Sequence, residues 1–278
     1  MKEGLNNGIA IVANDKIIEW TLPFLESYRE TNGDTPLFVI PYNENTSVTR
    51  RAADTYGATW VDDNLAEIDL LAKRLYPLSP YRRYRLRKLQ VLALPVDNVI
   101  YLDVDTILFR DLKGFFGCLD AGVTDFIVAS RSDDYVYNGN RARYDFLKDA
   151  MLFNDGFFLT SKTILSISDF CDVMVSDQEI FDSVRKRGGL FAQPLVNFVV
   201  HRRQLKIKSL AQCIPGASDE TYYKAAGVAF NGQGPLDAQG REIYFAHWAG
   251  ATRIPQRRIF DKAWLDYSKR AAERVKFQ

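Results

Sequence analysis

Strand-like and helix-like segments alternate over the first sixty residues. The apolar runs GIAIVA (8–13), LFVIPY (37–42) and TWV (59–61) have the length of buried strands. The two intervening segments have helical spacing, and Gly57 ends the second of them. The apolar face of the first helix comprises Ile17, Ile18, Thr21, Leu22, Leu25 and Tyr28. Because parallel strands need crossover connections, this β-α-β-α-β order predicts an α/β fold: an open, mostly parallel sheet with helices on both faces.

The same pattern extends further along the chain. The additional predicted helices are 64–75, 79–94 and 163–187, and the additional predicted strands are 98–103, 125–130 and 156–161. The strand NVIYLD (98–103) follows Pro95 and is continuously apolar before its final aspartate, which is typical of a strand covered on both faces. We therefore expect the sheet to continue beyond the first three strands.

Composition restricts the class of protein. Of 278 residues, 47% are hydrophobic and 26% are charged, as in globular proteins, and 36 Lys and Arg nearly balance 35 Asp and Glu. This balance argues against general nucleic-acid binding. Cys118, Cys171 and Cys213 lack C-x-x-C spacing, so we predict no disulfide framework and no thiolate zinc site. The apolar run near the N-terminus is shorter than a signal or membrane segment, and we expect a cytoplasmic protein.

Asp103 and Asp105 carry the most specific chemical signal. They stand at the predicted carboxyl end of strand 98–103, where ligands bind in open α/β sheets. Residues two apart on an extended chain project to one side, so the two carboxylates would repel each other unless a cation lay between them. A divalent metal suits such oxygen ligands. Two alternatives remain open: an ordinary polar strand end, and a motif like that of haloacid-dehalogenase-type phosphatases, with Asp103 as nucleophile.

Five segments, one of which contains Asp103 and Asp105, form an ordered set of motifs along most of the chain. They are IVANDKIIEWTLPFLES (11–27), YRRYRLRKLQVLALPVDNVIYLDVDTIL (81–108), FNDGFFLTS (153–161), AQPLVNF (192–198) and FAHWAGATRIPQ (245–256). In this order they resemble the motifs of a GT-A glycosyltransferase, within that fold the glycogenin and lipopolysaccharide galactosyltransferase group often called family eight. The resemblance covers about residues 8–256.

The resemblance implies a metal-dependent hexosyltransferase. Its donor would be a nucleotide diphosphate sugar, most simply a UDP-sugar, and the hexose would be transferred with retention of configuration. Asp103, Asp105 and His247 would hold a manganese or magnesium ion. An imidazole among hard oxygen ligands independently favours manganese.

The resemblance also assigns residues to the parts of the donor. Ala13, Asn14 and Asp15 would hold the nucleoside. Asp103 would reach the diphosphate through the metal, and Lys88 and Arg253 would face it directly. The residues that would approach the donor sugar are Asn154 and the candidate catalytic residues Gln193 and Asp155.

Two positions depart from the family pattern. Ala192 replaces the aspartate that precedes the family's glutamine. A covalent mechanism of retention would therefore lack that carboxylate as its nucleophile. Arg253-Ile254-Pro255 replaces the family's Lys-Pro, so a planar guanidinium stands where the family has the compact ammonium group of lysine. A catalytically inactive domain that binds sugar nucleotides is therefore a further alternative.

The predicted organisation is a single domain over residues 1–278. It comprises a nucleotide-binding half (about 1–110), a donor-sugar and acceptor half (111–256) and a C-terminal amphipathic helix (257–278). In that helix, Phe260, Trp264, Tyr267 and Ala271 have helical spacing. The acceptor could be a saccharide, a lipid-linked molecule or a protein. The basic tail adds a prediction of peripheral contact with the inner membrane face, and no nucleic-acid partner is expected.

Overall fold

The fold is described from a computed structural model. The residues described are 6–63, 65–77, 79, 83–129, 145–176, 192–251, 253–254 and 258–275. Residues 177–187 of the predicted helix 163–187 lie outside this set, as do residue 257 and residues 276–278 of the predicted C-terminal helix.

Eleven strands are described. They are β1 (Asn7–Ala13), β2 (Leu37–Pro41), β3 (Thr59–Trp60), β4 (Asn98–Leu102), β5 (Thr106–Leu108), β6 (Phe126–Val128), β7 (Phe157–Ser161), β8 (Ile207–Ser209), β9 (Ala229–Asn231), β10 (Gly234–Leu236) and β11 (Phe245–His247). Seven of them form the central sheet, in the order β3-β2-β1-β4-β7-β6-β8. Within this sheet only the pairings of β7 are antiparallel. The expected mostly parallel sheet is confirmed.

The described helices pack around this sheet. The α-helices are α1 (Ile18–Asn32), α2 (Ser47–Thr55), α3 (Leu65–Leu75), α4 (Lys113–Phe116), α5 (Asp145–Lys148), α6 (Ile167–Ser176), α7 (Ala192–Arg202), α8 (Leu210–Cys213) and α9 (Ile259–Arg274). Two 3₁₀ helices span Asp15–Ile17 and Arg85–Ala93. Strand β1 shows why both faces of the sheet are covered: Ala10 and Val12 join one apolar core, whereas Ile9 and Ile11 join another.

The segment predicted as an α-helix over 79–94 is different in the structure. Its described helical part is the 3₁₀ helix Arg85–Ala93, and residues 80–82 lie outside the described set. The residues from Leu86 to Leu92 are all buried. An amphipathic α-helix buries mainly one face, so packing on all sides here has overridden the periodic pattern. Runs of 3₁₀ helix this long are uncommon.

The antiparallel strand β7 brings two distant loops together. Its first residue, Phe157, pairs with Leu102, the last residue of β4. The backbone N–H of Asp103 donates to the carbonyl of Gly156 at 2.7 Å. The loop before β7 therefore lies against the two aspartates that follow β4.

A second, two-stranded sheet brings in the C-terminal part of the chain. Strand β11 pairs antiparallel with β5, with His247 opposite Thr106. The backbone N–H of Trp248 donates to the carbonyl of Asp105 at 2.8 Å. This register fixes His247 beside the segment between β4 and β5.

Helix α9 packs against α1 at the edge of the molecule. Phe260, Tyr267 and Ala271 are buried on its inner face. The Nε of Arg274 donates to the buried carboxylate of Glu26 on α1 at 2.9 Å. The predicted amphipathic helix therefore covers the protein body. Among the described helices, none is long and apolar enough to cross a bilayer.

Candidate metal and nucleotide-sugar site

Three side chains converge beyond the end of β4. The Nε2 of His247 lies 3.1 Å from an oxygen of Asp105 and 3.7 Å from Oδ2 of Asp103. One ligand atom from each residue can be chosen so that all three lie within 4.8 Å of one another. The chain bends at Val104 and Asp105 instead of continuing as an extended strand. Val104 is buried in the core, and the carboxylates on either side of it both lie near His247. Two carboxylate oxygens and one imidazole nitrogen are a suitable ligand set for manganese.

The electrostatics of this cluster favour a positive charge within it. Burial would lower the pKa of His247, but the carboxylates of Asp105 and Asp103 raise it above its ordinary value. Burial would raise the pKa of Asp103, but Lys88 and His247 hold it below its ordinary value. The carboxylates thus favour a protonated imidazole, and the cations Lys88 and His247 favour an ionised Asp103.

Lys88 and Tyr101 hold the other side of Asp103. The Nζ of Lys88 lies 3.3 Å from Oδ1 of Asp103, and the hydroxyl of Tyr101 donates to the same oxygen at 2.5 Å. Burial and the neighbouring charge of Asp103 raise the pKa of Tyr101 well above its ordinary value, so the phenol keeps its proton. Oδ2 of Asp103 is the oxygen that faces His247.

Asp155 is the second partner of Lys88. The Nζ of Lys88 donates to Oδ2 of Asp155 at 2.9 Å and to the carbonyl of Asp155 at 3.3 Å. Both side chains are buried, and burial raises the pKa of Asp155. With His247 neutral, the side chains of Asp103, Asp105, Asp155, Lys88 and His247 carry a net charge of minus two. One divalent cation would balance that charge, so the residues present fit such an ion.

The loop before β7 connects this cluster to helix α7. The side-chain oxygen of Gln193, in the first turn of α7, accepts a hydrogen bond from Asn154 at 3.1 Å and from the backbone N–H of Asp155 at 3.4 Å. Asn154 in turn accepts from the backbone N–H of Gly156 at 2.9 Å. The predicted donor-sugar residues therefore form one connected group next to the aspartates.

Two residues of this group were not assigned a role from the sequence. Asn197 is fully buried on α7 and exchanges hydrogen bonds with the backbone N–H and carbonyl of Phe153, at 2.9 and 2.8 Å. Gly156 touches the cluster so closely that an added Cβ would lie 2.3 Å from the His247 ring. Both residues occur in the quoted segments 153–161 and 192–198, but a short motif does not show which position faces which neighbour.

The three residues predicted to hold the nucleoside lie at the carboxyl end of β1. Ala13 ends β1, and the buried Asn14 donates to the side chain of Asn43 at 3.2 Å. Asp15 accepts hydrogen bonds from the backbone N–H groups of Val48 and Thr49, at 3.0 and 2.8 Å, and so caps helix α2. Burial would raise the pKa of Asp15, but these hydrogen bonds keep it below its ordinary value. The carboxylate thus already has a structural role.

The structure does not bring every predicted residue into this network. Arg253 is exposed, and its neighbour Pro255 lies outside the described residues. Lys88, predicted at the phosphates, forms ion pairs with Asp103 and Asp155. A contact of Lys88 or Arg253 with phosphate stays a prediction.

Comparison with known proteins identifies the fold. No family model and no curated protein matches the sequence. The galactosyltransferase LgtC, solved with donor and acceptor sugar analogues, superposes with a TM-score of 0.61 at 14% identity, covering 98% of this chain and 97% of LgtC. The bifunctional glycosyltransferase WbbM gives a TM-score of 0.58 at 11% identity and covers 99% of this chain. GlyE of Streptococcus pneumoniae TIGR4 gives 0.55 at 15% identity and covers 94%.

The coverage of the other chains differs among these structures. This chain spans 52% of the WbbM chain and 60% of the GlyE chain. At such low identities the likeness concerns the fold, and it confirms the architecture expected from the order of motifs. The chain therefore has the GT-A-like fold of these glycosyltransferases.

Proposed function

We propose that this protein is a glycosyltransferase that transfers a hexose from a UDP-sugar to an acceptor hydroxyl, with a divalent metal at Asp103, Asp105 and His247. The convergence of these three side chains, next to the Asn154–Gly156 loop, is the observation that carries the proposal. The GT-A-like fold supports it, because the solved structures of this fold reported above are glycosyltransferases. That support favours transfer over the phosphatase alternative.

The reaction requires one bond to break and one to form at the anomeric carbon. The bond between the sugar carbon C1 and the phosphate oxygen breaks, and its electron pair leaves with the nucleoside diphosphate. A new bond forms from C1 to the acceptor oxygen, and the acceptor proton passes to the departing phosphate. A bound divalent cation would supply Lewis-acid stabilisation to the charge that develops on the diphosphate.

The residues of the site would orient the donor. Asn154, Asp155 and Gln193 would contact the hexose, and the exposed Arg253 would supply a guanidinium fork to the phosphates. With Ala192 beside it, Gln193 offers no carboxylate nucleophile. Asp155, the remaining carboxylate of this group, is ion-paired with Lys88, and we therefore propose front-face attack with retention.

The nucleoside would lie at the end of β1. Ala13 and Asn14 would contact it, and Asp15 would act by holding helix α2 against this edge, because its carboxylate already caps that helix. The nucleoside contact determines which nucleotide the donor carries. The first experiment therefore measures binding of UDP.

The experiment is a calorimetric titration of UDP into the protein, with and without manganese. Asp105→Ala removes one proposed metal ligand, and Asp266→Ala, on the exposed face of α9, is the matched control. We expect manganese-dependent UDP binding in the native protein and the control, and its loss in Asp105→Ala. Absence of UDP binding under every condition would overturn the proposal.

A second measurement separates an enzyme from an inactive binding domain. A panel of UDP-hexoses is incubated with protein and manganese, and release of UDP and free sugar is followed. Hydrolysis of one donor, with the first-formed sugar anomer retained by NMR, is the expected result. UDP binding without hydrolysis or transfer would instead identify a sugar-nucleotide-binding domain, and an inverted anomer would contradict retention.

A further inference from the structure

The two oxygens of the Asp103 carboxylate have separate partners. Oδ1 accepts hydrogen bonds from the hydroxyl of Tyr101 at 2.5 Å and from the ammonium of Lys88 at 3.3 Å. Oδ2 faces His247 at 3.7 Å. This division leaves one oxygen directed at the cluster and holds the other by hydrogen bonds.

Tyr101 is well placed to keep this geometry fixed. It lies on β4 and is only 2% exposed, and its ring stacks on Phe158 of the neighbouring strand with centroids 5.1 Å apart. The ring therefore cannot turn without disturbing the central sheet. The hydroxyl at its tip meets Asp103 two residues further along the same chain, since both side chains project to one face.

Lys88 approaches the same oxygen from another element. It lies on the 3₁₀ helix Arg85–Ala93, and its Nζ sits 4.8 Å from the centre of the Tyr101 ring. The ion pair of Lys88 with Asp155 divides its charge between two carboxylates. Asp103 is then only partly neutralised by Lys88, and it retains negative charge for a cation on its other oxygen.

We infer that Tyr101 is a positioning residue that fixes Asp103 for metal binding, assisted by the Lys88–Asp155 pair. The inference rests on the proposed metal site but concerns residues beyond the ligands themselves. It explains the use of a buried tyrosine at this strand end. A hydroxyl adds a directed hydrogen bond without adding charge, whereas a second cation would compete with the metal for Asp103.

The test compares two tyrosines that each donate to a carboxylate. Tyr101→Phe removes the hydroxyl and keeps the ring stacked on Phe158. Tyr56→Phe is the matched control, because Tyr56, which follows α2, donates to Glu26 of α1 at 2.7 Å and lies under Arg274 of α9. Manganese affinity is measured by electron paramagnetic resonance of free and bound Mn²⁺, and Tm is measured on the same samples. No nucleotide or acceptor is needed.

We expect Tyr101→Phe to bind Mn²⁺ about ten-fold more weakly, the lower end of the effect seen when partners of metal ligands are removed. The spectrum of its bound Mn²⁺ should also broaden, since the ligand geometry is less uniform. Tyr56→Phe should lower Tm without changing Mn²⁺ affinity. A change in Tm alone would indicate a merely structural role for Tyr101.

Asp155→Asn provides a second variant. Its loss of charge leaves Lys88 to neutralise Asp103, so Mn²⁺ affinity should again fall. If native protein binds Mn²⁺ and both variants bind it equally well, the positioning role is refuted while the metal site stands. If native protein binds no Mn²⁺, the metal site and the positioning role both fail.

Discussion

Replacing Gly156 by alanine should disrupt the metal cluster through a single methyl group. The new Cβ would lie 2.3 Å from Cε1 of His247, 2.8 Å from the side-chain oxygen of Asn154 and 2.9 Å from Oδ2 of Asp103. The φ angle of Gly156 is not in the left-handed region, so the backbone itself accepts alanine. The effect of the substitution is therefore steric and local.

The displacement can be worked out from these distances. Ordinary van der Waals contact begins at 3.4 Å, so the His247 ring must retreat by about 1.1 Å unless the loop moves instead. Metal coordination tolerates about 0.2 Å. The backbone of His247 is held by β11 and by a hydrogen bond to the carbonyl of Thr221, so the ring rather than the strand must adjust. We expect Mn²⁺ affinity to fall more than about ten-fold.

The cost in stability should be smaller than the cost in function. Overpacking of a close-packed site typically destabilises by about 1–3 kcal/mol, which leaves most domains folded. Mn²⁺ titration and chemical denaturation are measured on native protein, Gly156→Ala and Gly232→Ala. Gly232 has nothing within 4 Å of an added Cβ and is the matched control.

The outcome that refutes this reasoning is specific. A folded Gly156→Ala protein with Mn²⁺ affinity within two-fold of native would show that His247 does not need its observed position to bind metal. Weak Mn²⁺ binding in Gly232→Ala as well would show a general effect of added side chains rather than crowding at His247.

Two further predictions concern helix α9. Burial would raise the pKa of Glu26, but hydrogen bonds from Arg29, Arg274 and Tyr56 lower it from 4.5 to about 2, so its stabilising effect is complete above about pH 4.5 and is lost as the pH falls towards 2. Glu26→Gln should therefore lower the free energy of unfolding at pH 7 by about 2–3 kcal/mol and approach native stability near pH 2; urea denaturation across this range would contradict the assignment if the difference were constant. The predicted membrane contact of the tail would have to use Ile259 and Leu265, the large apolar side chains exposed on this helix. Replacing both by serine should reduce flotation with phosphatidylserine vesicles, and unchanged flotation would count against that contact.

The sequence by itself determined where the buried strands lie, because strand formation depends on short runs of neighbouring residues. Apolar runs of five or six residues, bounded by Gly, Asn and Pro, predict buried strands wherever they occur, and β1, β2 and β4 formed within one or two residues of the predicted bounds. The Asp103-Val104-Asp105 motif could be recognised for the same reason, because two carboxylates directly after an apolar strand are a local feature of the sequence. The alternation expected of an extended chain was wrong at this point, since the chain bends at Val104 and Asp105.

Tertiary structure alone decided how the distant parts of the site meet. The register of β7 on β4 put Gly156 against Asp103, and the pairing of β11 with β5 put His247 beside Asp105. The 3₁₀ winding of Arg85–Ala93 was also decided by packing, because burial on all sides replaced the amphipathic pattern expected of an α-helix. The position of Lys88 in this helix brings its ammonium group to Asp103 and Asp155. Such contacts depend on strand register and on three-dimensional packing, and neither is encoded in the local spacing of residues.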